Sequence, residues 1–140
     1  MITYVDTSTF LKRLLEEDGS ARADVIWESA DVLVSAALVV VESRAALATA
    51  ERGGRLTVRE HRAVKAGLVD LLEEVAIVEV TVELVAVAAD LAEEEALRGY
   101  DAVHLAAALE VGAQILTTSD SALCAAAVRR GLHVANPLGI

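Results

Sequence analysis

The sequence predicts an α/β fold in which a mostly parallel five-stranded sheet is flanked by helices. Two observations predict this fold. Short apolar runs rich in β-branched residues alternate with segments of helical periodicity, and no repeat, linker or low-complexity tract interrupts the alternation. The length of 140 residues and the 55% hydrophobic content suit one core. We therefore expect one domain spanning residues 1–140.

The first part of the chain predicts two strands separated by two helices. Residues 2–5 form an apolar run that ends at Asp6, and a helical pattern follows it through Leu15. A second helix is expected over 21–28, and a second strand over 31–35. The first strand is thus followed directly by an acid, at the end of a strand where α/β proteins place ligands.

The segment 36–50 is the hardest to interpret, because Val39, Val40 and Val41 would suit a strand as well as a helix. We favour a helix that ends near residues 53–54. In this helix Glu42 has apolar residues on the turn before it and on the turn after it, so its carboxylate lies on an apolar face.

The second half of the chain continues the alternation of strands and helices. Its predicted elements are a helix over 57–74, a strand over 76–80, a helix opened by Thr81, a helix around Asp101 that ends near Gly112, a strand over 114–118, a helix opened by Ser119 and Asp120 and closed by Gly131, and a short strand over 132–135.

Asp101 stands at the start of a helix whose residues 102–111 are nearly all apolar. A helix that is apolar all round belongs in a core, so this acid needs a physical reason. One reading is an acid stabilised by the helix dipole in the first turn. The other is a carboxylate that belongs to a metal site.

Three further acids decide between these readings. Asp6 and Asp120 each follow a strand of a parallel sheet and should share its carboxyl edge, and helices could bring Glu42 and Asp101 there. Asp120 could equally be the N-cap of its helix. Two carboxylates 4 Å apart repel by about 4 kcal/mol at an effective dielectric constant of 20, so four acids would need protonation, basic partners or a cation.

An oxygen-only set of this kind suits Mg²⁺ or Mn²⁺. It does not suit zinc, because the residues that zinc prefers are too scattered along the chain, namely Cys124, His61, His104 and His133.

The charge balance opposes ordinary nucleic-acid binding. Twelve basic against 22 acidic residues give a net charge of −10, so a phosphate-bearing substrate would need a bound cation or a local basic stripe. Arg55, Arg59 and Arg62 have helical spacing and form either a solvated face or a stripe that faces substrate. Lys12 and Arg13 are further candidates for that contact.

No apolar run approaches the roughly 18 residues of a membrane span, so we expect no membrane partner. The opening residues show no basic leader followed by a long apolar region, which predicts a cytoplasmic protein.

Four motifs together resemble the PIN-domain nucleases, and among them the VapC-like toxins of bacterial toxin–antitoxin pairs. They are Val-Asp-Thr-Ser at 5–8, Glu42 in its apolar helix, the segment 98–109 that contains Tyr-Asp-Ala-Val-His, and Thr-Thr-Ser-Asp-Ser-Ala-Leu at 117–123. The resemblance covers most of the chain. One departure is Ser119, where such proteins often carry a larger or aromatic residue.

The resemblance implies a PIN-like α/β/α sandwich and a Mg²⁺-dependent endoribonuclease that hydrolyses RNA phosphodiester bonds, with Mn²⁺ able to substitute for Mg²⁺. In such chemistry one or two cations lower the pKa of a bound water and offset charge on the reacting oxygens. The implied catalytic and metal-binding acids are Asp6, Glu42, Asp101 and Asp120, with Ser8 and Thr118 as supporting hydroxyls.

The resemblance also implies a homodimer and a VapB-like antitoxin with a basic or amphipathic segment. RNA contacts are expected, if anywhere, at the basic residues named above, Lys12, Arg13, Arg55, Arg59 and Arg62. The alternative is a catalytically weak or inactive PIN-like module that binds RNA or a partner protein. The presence of all four acids argues against that alternative.

Overall fold

Strands and helices alternate along the chain in the order that the sequence predicts. The structure, a computed structural model, describes residues 1–139. The strands are β1 (Ile2–Val5), β2 (Val32–Ala36), β3 (Ala76–Val78), β4 (Ile115–Thr117) and β5 (His133–Ala135). The helices are α1 (Thr7–Leu14), α2 (Ser20–Ser29), α3 (Leu38–Arg52), α4 (Val58–Leu72), α5 (Val82–Glu95), α6 (Gly99–Glu110) and α7 (Ser121–Arg129).

The five strands form one sheet in the order β3-β2-β1-β4-β5, and every neighbouring pair is parallel. The chain builds outward from β1 to β3 on one side, then returns and continues from β4 to β5 on the other. The strand order therefore reverses between β1 and β4, where Val5 pairs with Thr117. In open parallel sheets, ligands bind outside the carboxyl ends of the strands at such a point.

Successive residues of a strand point to opposite sides of the sheet. Apolar residues on both sides form two cores, and helices cover each of them. Tyr4 packs in a core with α5, α6 and α7, whereas its neighbour Val5 packs in a second core with Phe10 and Trp27 of α1 and α2. Val34 belongs to the first core. The architecture is the predicted α/β/α sandwich.

The ambiguous valines lie in a helix, since Val39, Val40 and Val41 are all part of α3. β2 ends one residue later than predicted because Ala36 still pairs with Val78 of β3, while its N–H donates to the hydroxyl of Tyr4. β3 is shorter than predicted and ends at Val78, whose carbonyl accepts from Ala37. Among residues 1–139, none of the helices has the length and apolar character needed to cross a membrane.

A candidate active site at the carboxyl edge of the sheet

The four predicted acids line one pocket of about 350 Å³. β1 and β4 deliver two of them at the switch point, and α3 and α6 bring the others. A larger depression of about 820 Å³ lies between α2 and residues 137–138, but it gathers no comparable set of acids among the residues described. The acids of the first pocket are Asp6, Glu42, Asp101 and Asp120.

Asp6 is the most deeply buried of these acids, with only 4% of its surface exposed. Its carboxylate accepts hydrogen bonds from Ser8 Oγ at 2.7 Å, from Thr118 Oγ1 at 2.6 Å and from the backbone N–H of Thr9 at 3.2 Å. Burial raises the pKa of Asp6, although His104 and these hydrogen bonds act in the opposite direction. Asp6 thus caps α1 and is held rigidly, while its negative charge is costly.

Glu42 is fixed at one of its two oxygens. Thr7 Oγ1 donates to Oε1 at 2.7 Å, and His104 Nε2 lies 2.6 Å from the same oxygen. Burial alone would raise the pKa of Glu42, but the hydrogen bonds from His104 and Thr7 outweigh it and lower the pKa. These contacts therefore favour the charged form of Glu42, whereas burial disfavours the charged forms of Asp6 and Asp101.

Asp101 and Asp120 share one arginine. The Nε of Arg98 lies 3.1 Å from Asp101 Oδ2, and its Nη2 lies 3.1 Å from Asp120 Oδ2. Burial and the charge of Asp120 raise the pKa of Asp101, and Arg98 opposes them. The N-cap reading of Asp120 also holds, because its Oδ1 accepts from the N–H of Leu123 at 2.9 Å. Asp120 therefore caps a helix and lines the pocket at once.

The donor chemistry of this pocket fits a hard divalent cation. Its acidic side chains offer only oxygen. Burial raises the pKa of both Asp6 and Asp101, and the charge of Asp120 raises that of Asp101 further, a cost that a cation would relieve. Within residues 1–139, no three His, Cys, Asp or Glu side chains enclose a metal position as they stand. Asp101 and Asp120 each pair with Arg98 through Oδ2, so the guanidinium would compete with a cation for these two oxygens.

Two of the basic residues that are predicted to contact RNA form ion pairs with acids outside the pocket. Lys12 is 9% exposed, and its ammonium pairs with Glu17 at 3.1 Å. Arg13 pairs with Asp24 at 2.6 Å and lies over the ring of Trp27, 5.3 Å from the ring centroid. These pairings direct Lys12 to Glu17 and Arg13 to α2 rather than to the pocket, and contact of either residue with RNA stays a prediction.

The basic stripe also lies outside the pocket. Arg55 reaches back to Glu17, with its Nη2 3.4 Å from Oε2. Arg59 and Arg62 are exposed on α4. Arg59 and Arg62 therefore have the predicted helical spacing, whereas Arg55 lies before the helix. Contact of all three with RNA stays a prediction.

Sequence reasoning missed three polar residues of the pocket, namely Thr7, Arg98 and His104. Helical spacing was the available signal for two of them. Arg98 precedes Asp101 by three residues and His104 follows it by three, which places all of them on one side of the helix start. Hence His104 lies inside the acidic site, although the sequence places it among histidines and a cysteine too scattered for zinc.

Comparison with known proteins agrees with this fold. The PIN domain family matches residues 3–129 of the chain. Ribonuclease VapC45 of Mycobacterium tuberculosis is 39% identical over 132 residues, which is 94% of this chain and 87% of that protein.

Solved structures give the same result at the level of fold. PAE2754 from Pyrobaculum aerophilum has a TM-score of 0.73 and 24% identity, with coverage of 96% of this chain and 92% of that chain. A toxin–antitoxin complex from Klebsiella pneumoniae contains a chain with a TM-score of 0.70 and 17% identity, and 99% of each chain is covered. The family match and the 39% identical relative both span nearly the whole chain. This protein therefore belongs to the PIN-domain family, which includes its relative among the VapC ribonucleases.

Proposed function

We propose that this protein is an endoribonuclease that hydrolyses RNA phosphodiester bonds with Mg²⁺, for which Mn²⁺ can substitute. The observation that carries the proposal is the convergence of four acids, distant in sequence, on one pocket. The relative named as a ribonuclease supports RNA as the substrate. The residues that would hold the cation are Asp6, Glu42, Asp101 and Asp120.

A bound divalent cation would supply a water of lowered pKa and would offset charge on phosphate oxygens. The protein contributes fixed ligands. Asp6 is held by three donors, and Glu42 is held at Oε1 by two neighbours. Because the pocket is otherwise strongly acidic, a phosphate approaches it favourably only when this charge is offset.

Arg98 is the residue that we expect to contact the phosphate. Within residues 1–139 it is the sole arginine or lysine that lines the pocket, and its side chain is 78% exposed. A guanidinium binds phosphate oxygens through two donors at once. If the acids held a cation, the guanidinium would be less needed as their partner and could make that contact.

Substitution of single acids tests the nuclease. Asp6→Asn and Asp101→Asn each remove a charged ligand while keeping side-chain size. We expect Mg²⁺-dependent cleavage of RNA to fall by at least about 100-fold in each, since even indirect partners of a metal site cost about 10–100-fold. Asp90→Asn, an exposed acid on α5, is the matched control and should cleave like wild type. Wild-type activity in both pocket variants would refute the assignment.

Calorimetry with Mn²⁺ separates this proposal from its alternative, a catalytically weak or inactive PIN-like module. A nuclease should take up Mn²⁺ at a defined stoichiometry, and Asp6→Asn should abolish the uptake. A module that binds only RNA or a partner protein should show no specific uptake.

We further propose that the protein is the toxin of a VapBC-type pair, with a small antitoxin that blocks the pocket. One structural neighbour is a chain of a toxin–antitoxin complex. The net charge of −10 favours a basic partner segment. The proposal includes a homodimer, and it places the protein in the cytoplasm, where its RNA substrate would be.

A further inference from the structure

His104 is a buried polar residue within the most apolar helix of the protein. It is 2% exposed, and its neighbours on α6 include Leu105, Ala106 and Ala107, which are all buried. A buried imidazole needs partners for both ring nitrogens. His104 has both, with Tyr4 at Nδ1 and Glu42 at Nε2.

The hydrogen bonds of Tyr4 indicate which ring nitrogen of His104 carries the proton. Burial raises the pKa of Tyr4, so its hydroxyl keeps its proton. The hydroxyl accepts the N–H of Ala36 at 3.1 Å and lies 2.7 Å from His104 Nδ1, to which it can donate. An imidazole that accepts at Nδ1 and is neutral carries its proton on Nε2. That proton then points at Glu42 Oε1, 2.6 Å away.

The same oxygen of Glu42 also receives the proton of Thr7 at 2.7 Å. In the part of the chain that the structure describes, Glu42 Oε2 accepts no hydrogen bond. The two donors therefore fix one oxygen of the carboxylate and leave the other available in the pocket.

We propose that Tyr4 and His104 form a positioning relay that orients the Glu42 carboxylate for binding a divalent cation. This inference rests on the proposed function, because it assumes that Glu42 is a metal ligand. The relay spans the sheet and two helices, since Tyr4 belongs to β1, His104 to α6 and Glu42 to α3. It acts through Glu42, and neither Tyr4 nor His104 needs to touch metal or RNA.

Two substitutions at His104 separate positioning from packing. In His104→Asn the amide ends near the place of Nδ1, so it keeps the contact with Tyr4 and loses the one with Glu42. In His104→Gln the amide ends near the place of Nε2, so it can still donate to Glu42. We expect Mn²⁺ affinity, measured by calorimetry on the full chain, to fall by about 10–100-fold in His104→Asn and to recover at least in part in His104→Gln.

Two more variants complete the test. Tyr4→Phe removes only the hydroxyl and should weaken Mn²⁺ binding, though by less than His104→Asn does. Ser20→Ala is the matched control for loss of a buried hydroxyl, because Ser20 is 4% exposed, donates to Leu15 at 3.0 Å and lies outside the pocket. It should bind Mn²⁺ like wild type. Thermal melts of all four variants show whether each is folded. If a variant of His104 does not fold, the Mn²⁺ affinity of Tyr4→Phe decides the test.

The outcomes distinguish this inference from the proposed function. Wild-type Mn²⁺ affinity in His104→Asn, or in Tyr4→Phe, would overturn the relay and leave the nuclease assignment intact. Equal losses in His104→Asn and His104→Gln would also overturn it, because a packing role does not depend on which atom of the ring is reproduced. Absence of Mn²⁺ uptake by the wild-type chain would overturn the metal site and the relay together.

Discussion

Asp6 shows how a single buried acid in the proposed site can oppose the stability of the fold. Its carboxylate is buried, and its pKa is raised chiefly by that burial. A hydrophobic or neutral residue would be less destabilising at this position, but neither would offer a divalent cation a charged ligand. Three hydrogen bonds hold the side chain in place at the end of β1.

Asp6→Asn should therefore stabilise the metal-free protein near pH 8. A raised pKa means that the folded wild type binds a proton more readily than the unfolded chain does, so its stability falls as the pH rises through the folded pKa. Asparagine caps helices as well as aspartate does and has no charge to bury. The advantage of the variant should shrink as the pH falls toward 4 and wild-type Asp6 takes up its proton.

Urea denaturation in EDTA at several pH values measures this difference. Asp90→Asn is the control, since Asp90 is exposed and should show no comparable pH-dependent gain. A variant Asp6→Asn that is less stable than wild type at pH 8 would show that the hydrogen bonds outweigh the cost of burying the charge.

At the scale of the element, α6 joins the core to the site. Its small residues, among them Ala102 and Ala107, are buried, so the helix can lie close to the sheet and to α5. The same helix places Asp101 and His104 at the pocket. The dense packing that fixes these two side chains leaves little room for larger residues.

Ala107→Leu should consequently lower the free energy of unfolding by about 1–3 kcal/mol, because Ala107 is fully buried and the added carbons have no space. Ala125→Leu on α7 is the matched control, as Ala125 is exposed and the change should stay within about 0.5 kcal/mol. Chemical denaturation of both variants gives the comparison. Equal stability of the two would mean that α6 can shift to accept the larger side chain.

At the scale of the whole molecule, the main feature is the excess of negative charge. A net charge of −10 destabilises the folded chain by self-repulsion, and four of the acids are concentrated in one pocket. General salt screens the dispersed surface charges, whereas a bound divalent ion acts on the concentrated ones. The two effects can be measured separately.

Mn²⁺ at about 100 times its dissociation constant should raise the free energy of unfolding by about 2.7 kcal/mol. NaCl at equal ionic strength should raise it by much less, and Asp6→Asn should respond to Mn²⁺ only as it does to NaCl. Melts at two protein concentrations belong with this measurement, because a dimer makes the melting temperature depend on concentration. An equal response of the wild type to both salts would argue against a specific cation site.

The sequence by itself determined the order of the elements, the α/β class and the positions of the acids that follow β1 and β4. These features are local, because hydrophobic periodicity and the residues that end a strand or begin a helix act within a few positions of the chain. Asp6 and Asp120 could therefore be placed at one sheet edge before any packing was known.

Only the tertiary structure decided the partners of those acids. His104 meets Glu42 across 62 positions of sequence, Arg98 joins Asp101 to an acid on another element, and Lys12 turns inward to Glu17 instead of outward. Helical spacing can place Arg98 beside Asp101, but it does not encode contacts between elements, because these depend on how helices on a sheet approach one another and on which buried polar groups then find a partner.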